Sequence, residues 1–411
     1  MSDMPLLVSD IHGSQRFALA QAAGRAGIPV IGAAPHRVPW AERSRYVQRL
    51  VRTPDSEETL PGVYASALKR AGVVPAVWLP SYDGSADFTV HYAPFLQQVG
   101  LRFLVPDHAS LEQRALSRLQ AYQGGIRIPF CRTLPWETLA QQADDLPYPL
   151  LLKTVRNQYA LCRNAAELRA HVDRVSGEYD EEESVQAVSY VSGETSRMAS
   201  AMLLFDGDSR PVRGFTGRRL RVAPTRFGPF GETTAATAEW LPDLYEGACE
   251  LLAGLNWRGF AEVECKQGED GQWYLLEINP RPSGWMCLAE ADGAGVLQAY
   301  HRICTDGMQL SEVVLQRSRS RYVRMVGNYY HVPDWACDSR PADRPWHKLR
   351  RFFDTLVAYR REFPNLVLGG WDARDGGANR RMAWLTLKWV LVRGWMSASR
   401  RLSFCRSGEG D

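Results

Sequence analysis

Glu262, Glu264, Glu277 and Asn279 fall within Gly259–Trp285, GFAEVECKQGEDGQWYLLEINPRPSGW. The runs Phe260–Cys265 and Trp273–Ile278 alternate in character around Asp270-Gly271, a pair suited to a hairpin turn. A two-residue turn there sets Glu264 opposite Glu277 and Glu262 opposite Asn279. Strand side chains alternate with period two, so all four share one face. The other face pairs Val263 with Ile278 and Cys265 with Leu276, which suits a core. Carboxylates facing across a ladder repel each other. A divalent cation would relieve that repulsion, and oxygen ligands suit magnesium. The alternative is an exposed hairpin with solvated charges, but the sharp division between the faces argues for a site.

Cations accompany these acids. Lysine is scarce, with only Lys69, Lys153, Lys266, Lys348 and Lys388. Lys153 follows Pro149-Leu150-Leu151-Leu152, an apolar strand in which an ammonium needs a counter-charge such as a phosphate, unless it snorkels to water at the strand end. Arg213, Arg218, Arg219 and Arg221 form a basic cluster, with Arg219 and Arg221 expected to point the same way on an extended segment. Guanidinium forks suit phosphate or carboxylate oxygens, and a solvated charged face is the other reading. Arg281 lies just past Asn279, where a developing negative charge would be stabilised. GxSxG is absent, and no Cys or Ser sits in a recognisable triad context. Positive groups beside metal ligands suit phosphoryl transfer.

These residues need elements to hold them. Residues 5 to about 108 read as alternating strands and helices, hence a parallel sheet with helices on both faces: strands at Pro5–Ser9, Ile28–Ala33, Val73–Leu79 and Leu101–Val105, and helices at Gln15–Ala26, Glu57–Ala71 and Asp87–Val99. The first loop, SDIHGSQ, lacks GxGxxG, which argues against a dinucleotide site. Asp10, His12, Tyr82, Asp83 and Asp87 lie after strands, where ligands collect, but each taken singly reads first as a cap or turn residue. Beyond Pro106–Ser110 come a helix over Leu111–Tyr122, a strand over Tyr148–Thr154, a helix over Ala165–Val175 and a strand over Ser184–Val191. Strands at Ala199–Phe205 and Pro211–Phe215, a helix over Asp243–Leu255, the hairpin and a helix over Ala289–Cys304 follow. This mixture of hairpins and helices reads as α+β. After about residue 310 the pattern loosens, with a strand at Tyr322–Tyr330, an Arg-rich helix over Trp346–Arg361 and a Trp-rich helix over Arg380–Trp395.

Composition is that of a soluble globular protein: 411 residues, 45% hydrophobic, 23% charged and net charge +3. The charge is uneven, because Glu312–Asp411 carries 19 Arg and Lys against 10 Asp and Glu. An anionic surface would therefore meet residues 312–411 first. The eight cysteines show no CxxC, which reads as reduced thiols in a cytoplasmic protein. The N-terminus does not read as a signal peptide, and no apolar run reaches the ~20 residues of a membrane span.

YPLLLK, then the strand ending Tyr190-Val191-Ser192-Gly193-Glu194, then GFAEVECK and LLEINPR, in this order, resemble the ATP-grasp superfamily, and its carboxylate–amine ligase-like members above all. SRYVQRLVRTPD and WLPSYDGSADF resemble segments of the domain that precedes that fold. The resemblance implies four parts: a pre-ATP-grasp α/β domain over 1–109, a small ATP-grasp subdomain over 110–188, a catalytic subdomain with the metal site over 189–309 and a basic, Trp-rich C-terminal extension over 310–411. It implies ATP with Mg2+ (or Mn2+), the metal held by Glu264, Glu277 and Asn279. Lys153 would contact the phosphates, Arg219 or Arg221 the γ-phosphate, and Arg281 an acyl phosphate or substrate carboxylate. Ser189, Tyr190 and Val191 fall in the hinge by the adenine, and Glu194 near the ribose. Arg118 stands where the family pattern has a lysine, and Ser189 where it has an acid.

The expected function is ADP-forming ligation of a small-molecule carboxylate to an amine through an acyl phosphate. The alternatives are a thiol or hydroxyl acceptor, or a nucleotide-binding protein without turnover. No nucleic-acid partner is expected, and a homodimer is left open.

Overall fold

The computed structural model describes residues 4–54, 61–154, 159–175, 183–222, 233–307, 314–315, 320–324, 350, 354, 357–358, 360–361 and 366–384. Residues 325–330, most of Trp346–Arg361, the part of Arg380–Trp395 beyond Trp384, and Cys337 and Cys405 lie outside the described residues.

The described residues build three sheets. The first has five parallel strands in the order β3-β2-β1-β4-β5: β1 Leu6–Val8, β2 Val30–Ala34, β3 Val47–Arg52, β4 Ala76–Leu79 and β5 Leu101–Arg102. Period-two alternation divides it. Leu6 and Val8 join one core with Val77 and Leu79, while Leu7 joins another with Ala76 and Trp78. β3 was not read from the sequence, and the expected helix over Asp87–Val99 is two helices, Asp83–His91 and Ala93–Gln98.

The second sheet has four strands in the order β6-β9-β7-β8: β6 Cys131–Pro135, β7 Leu150–Thr154, β8 Tyr159–Cys162 and β9 Ser184–Ser189. Leu150, Leu152, Val185 and Ala187 pack with Leu168 of the helix Ala165–Arg174. Lys153 therefore belongs to the opposite face. The helix expected over Leu111–Tyr122 covers only His108–Gln113. Short turns follow it, because the Gln120 amide bonds Leu116 O, Pro129 O and Cys131 N and draws the segment toward β6.

The third sheet has eight strands: β10 Met198–Phe205, β11 Pro211–Val222, β12 Thr233–Ala238, β13 Gly259–Gln267, β14 Trp273–Asn279, β15 Val314–Leu315, β16 Arg321–Arg324 and β17 Leu366–Gly369. Their order is β14-β13-β10-β11-β12-β16-β17, with β15 beside β11. Ala261, Val263, Cys265, Leu275 and Ile278 pack with Leu244, Ala248, Leu251 and Leu252 of the helix Pro242–Gly254. That leaves Glu262, Glu264 and Lys266 on the other face. Gly259, at φ +79°, opens β13, and a Cβ there would stand 2.2 Å from the Leu104 carbonyl oxygen, so only glycine lets the strand start so close to the segment leaving the first sheet.

The helix expected over Ala289–Cys304 is two, Met286–Ala291 and Val296–Asp306, parted where Gly293 and Gly295 take φ of +87° and +59°. The loop after β17 fastens to the first unit. Buried Asp375 accepts hydrogen bonds from Gln21 Nε2 (2.9 Å), Ser44 Oγ (2.5 Å) and Arg45 N (2.9 Å). Asp372 pairs with Arg25 at 2.6 Å. No described helix is long and apolar enough to cross a membrane.

Candidate active site

β13 and β14 carry the acids in the expected register at the point that matters. Glu264 pairs with Glu277, Glu262 with Asn279 and Val263 with Ile278. The turn differs from the expectation. Gly268 N bonds Gln272 O, so Glu269, Asp270 and Gly271 form the tip, and Cys265 pairs with Leu275 rather than Leu276. A bulge between Glu264 and Cys265 takes up the one-residue offset.

Arginines hold the acids. Arg219, buried, meets Glu264 at 2.5 Å. Arg281 Nη1 donates to Glu262 at 2.7 Å, and its Nε reaches Asp83 of the first unit at 3.2 Å. Ser200 Oγ donates to the other Glu262 oxygen at 3.2 Å, and Asn279 Nδ2 to Glu264 Oε1 at 3.3 Å. Burial, then Glu264, pushes the Glu262 carboxyl up. Burial, then Glu264, likewise pushes Glu277 up, while Lys153 across the cleft works to lower it. Glu277 is open to solvent along the cleft but lies among protein atoms, which explains how an accessible carboxylate can be desolvated. Burial lowers Arg281, but Asp83, Glu262 and Glu264 outweigh it and the guanidinium is raised.

Among the described residues no three acidic, His or Cys side chains are gathered around one point as a metal cluster; Glu264 is engaged by Arg219 and Glu262 by Arg281. The donor chemistry nevertheless fits a hard divalent ion. Two carboxylates face each other on one ladder, and the Asn279 amide oxygen stays available while its nitrogen donates to Glu264.

The remaining expected residues divide. Lys153 lies on the cleft face of β7 and acts electrostatically on Glu277. Register shifts on either side of Arg221 interrupt the alternation of β11. Arg219 turns to Glu264, whereas Arg221 Nε donates to Thr234 at 2.9 Å, so the two do not act as the matched pair read from an extended segment. Ser189, Tyr190 and Val191 are half-buried at the end of β9, and Glu194 is exposed beyond them. Arg118 is exposed, and no described contact ties it to the cleft.

Two participants, Tyr159 and Lys266, escaped the sequence reading, and a third, Asp83, was weighed there with capping favoured. Tyr159 of β8 lies near enough for Glu277 and Glu264 to add to the burial that raises its phenol. Asp83, read first as a cap, is a partner of Arg281. Lys266 is buried beneath the Tyr190 ring, its nitrogen 5.2 Å from the ring centre, and burial, then Arg197, pushes its amine down. The alternation of Glu262, Glu264 and Lys266 was the signal for the last.

Solved structures share this architecture. An L-amino acid ligase from Bacillus licheniformis is 16% identical, with 73% of this chain and 74% of that one covered and a TM-score of 0.50. The biotin carboxylase domain of the Hydrogenobacter thermophilus 2-oxoglutarate carboxylase, in complex with MgADP, ADP and bicarbonate, is 15% identical, covering 78% and 73%, at 0.54. An N5-carboxyaminoimidazole synthase from Aspergillus clavatus, in complex with ADP and 5-aminoimidazole ribonucleotide, is 14% identical, covering 78% and 82%, at 0.54. No protein-family model matches the chain, and no curated protein sequence does. With its three sheets, the chain shares the fold of these ligase, carboxylase and synthase structures.

Proposed function

We propose that the chain is an ATP- and magnesium-dependent ligase that activates a carboxylate as an acyl phosphate and joins it to an amine. The observation that carries this reading is Glu264 facing Glu277 between Arg219 and Arg281, with Lys153 on the opposing sheet. Ligases and carboxylases that share this fold support it.

Glu264, Glu277 and Asn279 would hold the metal, which when bound would neutralise β- and γ-phosphate oxygens. Lys153 would bind the phosphates from the small sheet. Arg219, which holds Glu264, would bind the γ-phosphate. Arg281, set between Glu262 and Asp83, would orient the substrate carboxylate. An oxygen of that carboxylate attacks the γ-phosphorus while the bond to the ADP oxygen breaks. The amine nitrogen then attacks the acyl carbon, phosphate leaves with the C–O electron pair, and the nitrogen loses a proton to give the amide. Burial of these charges makes each electrostatic contact stronger than in water.

The test is ADP and phosphate release over a matrix of carboxylates, amino acids included, and amines, with products weighed by mass spectrometry. ADP formed only with a carboxylate–amine pair, together with a condensed product, is the expected result. Nucleotide binding with no turnover on any pair sinks the ligase reading.

A further inference from the structure

β3 is an outer strand of the first sheet, and residues 35–46, which lead into it from β2, leave a cavity of about 330 Å3 beside it. Its wall includes His36, Arg37, Glu42, Arg49, Leu50 and Arg52, and Glu42 is the one acid among the lining residues. Arg37 takes both oxygens of that acid, donating from Nε at 2.9 Å and from Nη2 at 2.6 Å. These bonds, with Arg52 and Arg381 adding to them, hold the Glu42 carboxyl below its usual range against the effect of burial. Arg49 and Arg52 are exposed at the cavity and make no hydrogen bond or ion pair among the described residues. Arg381 lies over the Trp384 ring, and its buried Nε has no hydrogen-bond partner among the described residues.

Three guanidiniums against one carboxylate leave two positive charges in excess in the wall, and Arg381 adds to the field. An outer strand carries charge to deter pairing with other strands, but that use needs neither a cavity nor like charges converging on it. A phosphomonoester carries about −1.5 to −2 at neutral pH, which matches the excess, and guanidinium forks bind its oxygens in pairs. The volume is that of a small-molecule pocket rather than of a bare ion.

His36 joins the cavity to the loops that follow β1 and β4, at the carboxyl ends of the parallel strands, where such sheets bind ligands. Its ring stands 5.0 Å from that of His12, Arg16 Nη1 lies 3.4 Å from His12 Nε2, and the Arg16 guanidinium covers the Tyr82 ring at 4.1 Å. Next to Tyr82 is Asp83, the partner of Arg281. A band of polar side chains thus runs from the cavity to the place assigned to the reacting carboxylate.

We propose that the cavity beside β3 binds the phosphomonoester group of a small-molecule substrate. That the ligand is a substrate rests on the ligase reading given above; that it binds does not.

The experiment is titration calorimetry of the full chain with glycerol 3-phosphate, beside glycerol and sulfate. Glycerol 3-phosphate should bind best, and Arg49→Ala with Arg52→Ala should weaken it about tenfold or more with the melting temperature kept. In the turnover matrix, phosphorylated compounds should show a lower KM than their dephosphorylated forms, and the double variant should raise the KM of the phosphorylated form about tenfold and that of the other much less. Three results overturn the inference: glycerol 3-phosphate bound no better than sulfate or glycerol, the double variant binding it as the native chain does, or equal KM for the phosphorylated and dephosphorylated forms. Sedimentation with phosphatidic acid vesicles by a chain that ignores glycerol 3-phosphate also overturns it, in favour of a lipid headgroup. Absence of turnover on every pair, with glycerol 3-phosphate still bound, removes the ligase reading and keeps the site.

Discussion

Arg219 holds Glu264 at 2.5 Å, on the carboxylate that the hairpin register sets against Glu277. A guanidinium thus occupies the oxygens that a divalent ion would use, and the two cations compete for one acid. Arg219→Ala leaves Glu264 beside Glu262 and Glu277 with its buried partner gone, a loss of about 3 kcal/mol. Millimolar Mg2+ should restore more of the melting temperature in this variant than it adds to the native chain. Thermal melts with and without Mg2+ read the difference, and equal shifts in both proteins would remove Glu264 from the metal site.

Glu277 is the facing acid. Glu277→Gln keeps the shape and removes the charge, so ADP release should fall about a hundredfold or more, with fold and melting temperature kept. Initial rates at saturating nucleotide decide this, and undiminished turnover means the metal assignment is wrong.

Asp83 ties Arg281 to the first unit and is itself half exposed. Asp83→Asn should leave nucleotide affinity unchanged, because Asp83 holds the guanidinium assigned to the substrate carboxylate rather than to the nucleotide, yet lower kcat about tenfold by freeing that guanidinium. Titration of nucleotide beside steady-state kinetics separates the two effects.

Glu290 gives a pH test. Burial pushes its carboxyl up to about 7, although the Leu297 N–H donates to it at 2.7 Å. A folded pKa above the unfolded value means that its contribution is fully present below about pH 4.5 and is lost as pH rises through 7. The loss is about 2 kcal/mol after discounting for partial exposure. Glu290→Gln should flatten denaturant-unfolding stability between pH 5 and pH 8 relative to the native chain.

Much of this site was legible because it is local. Period-two alternation places Glu262, Glu264, Glu277 and Asn279 on one face whatever the rest of the chain does, and the register at Glu264 held although the turn was read one residue short. The bulge at Leu276 that reconciles them answers to packing against the helix Pro242–Gly254, which no short window contains. Tyr159, Asp83 and Lys266 were harder, since their meaning comes from contacts across sheets. The helix read over Leu111–Tyr122 stops at Gln113 because Gln120 bonds to residues near β6, a tertiary contact that overrides propensity. β3, six residues in which only Val47 and Val51 are buried, and the four-residue β17, with no polar alternation, lack the period-two pattern that marks a strand.

Asp375 accepts three hydrogen bonds from the first unit, and Asp375→Ala should cost about 3 kcal/mol in urea unfolding. The contact joins residues 354 apart in the chain, from Gln21 to Asp375. On a ribosome adding ~5–20 residues per second, roughly 20 to 70 s pass between synthesis of the two partners. Until then the first sheet waits with Gln21, Arg25 and Ser44 facing water, so the part of the protein made first is among the last to be finished.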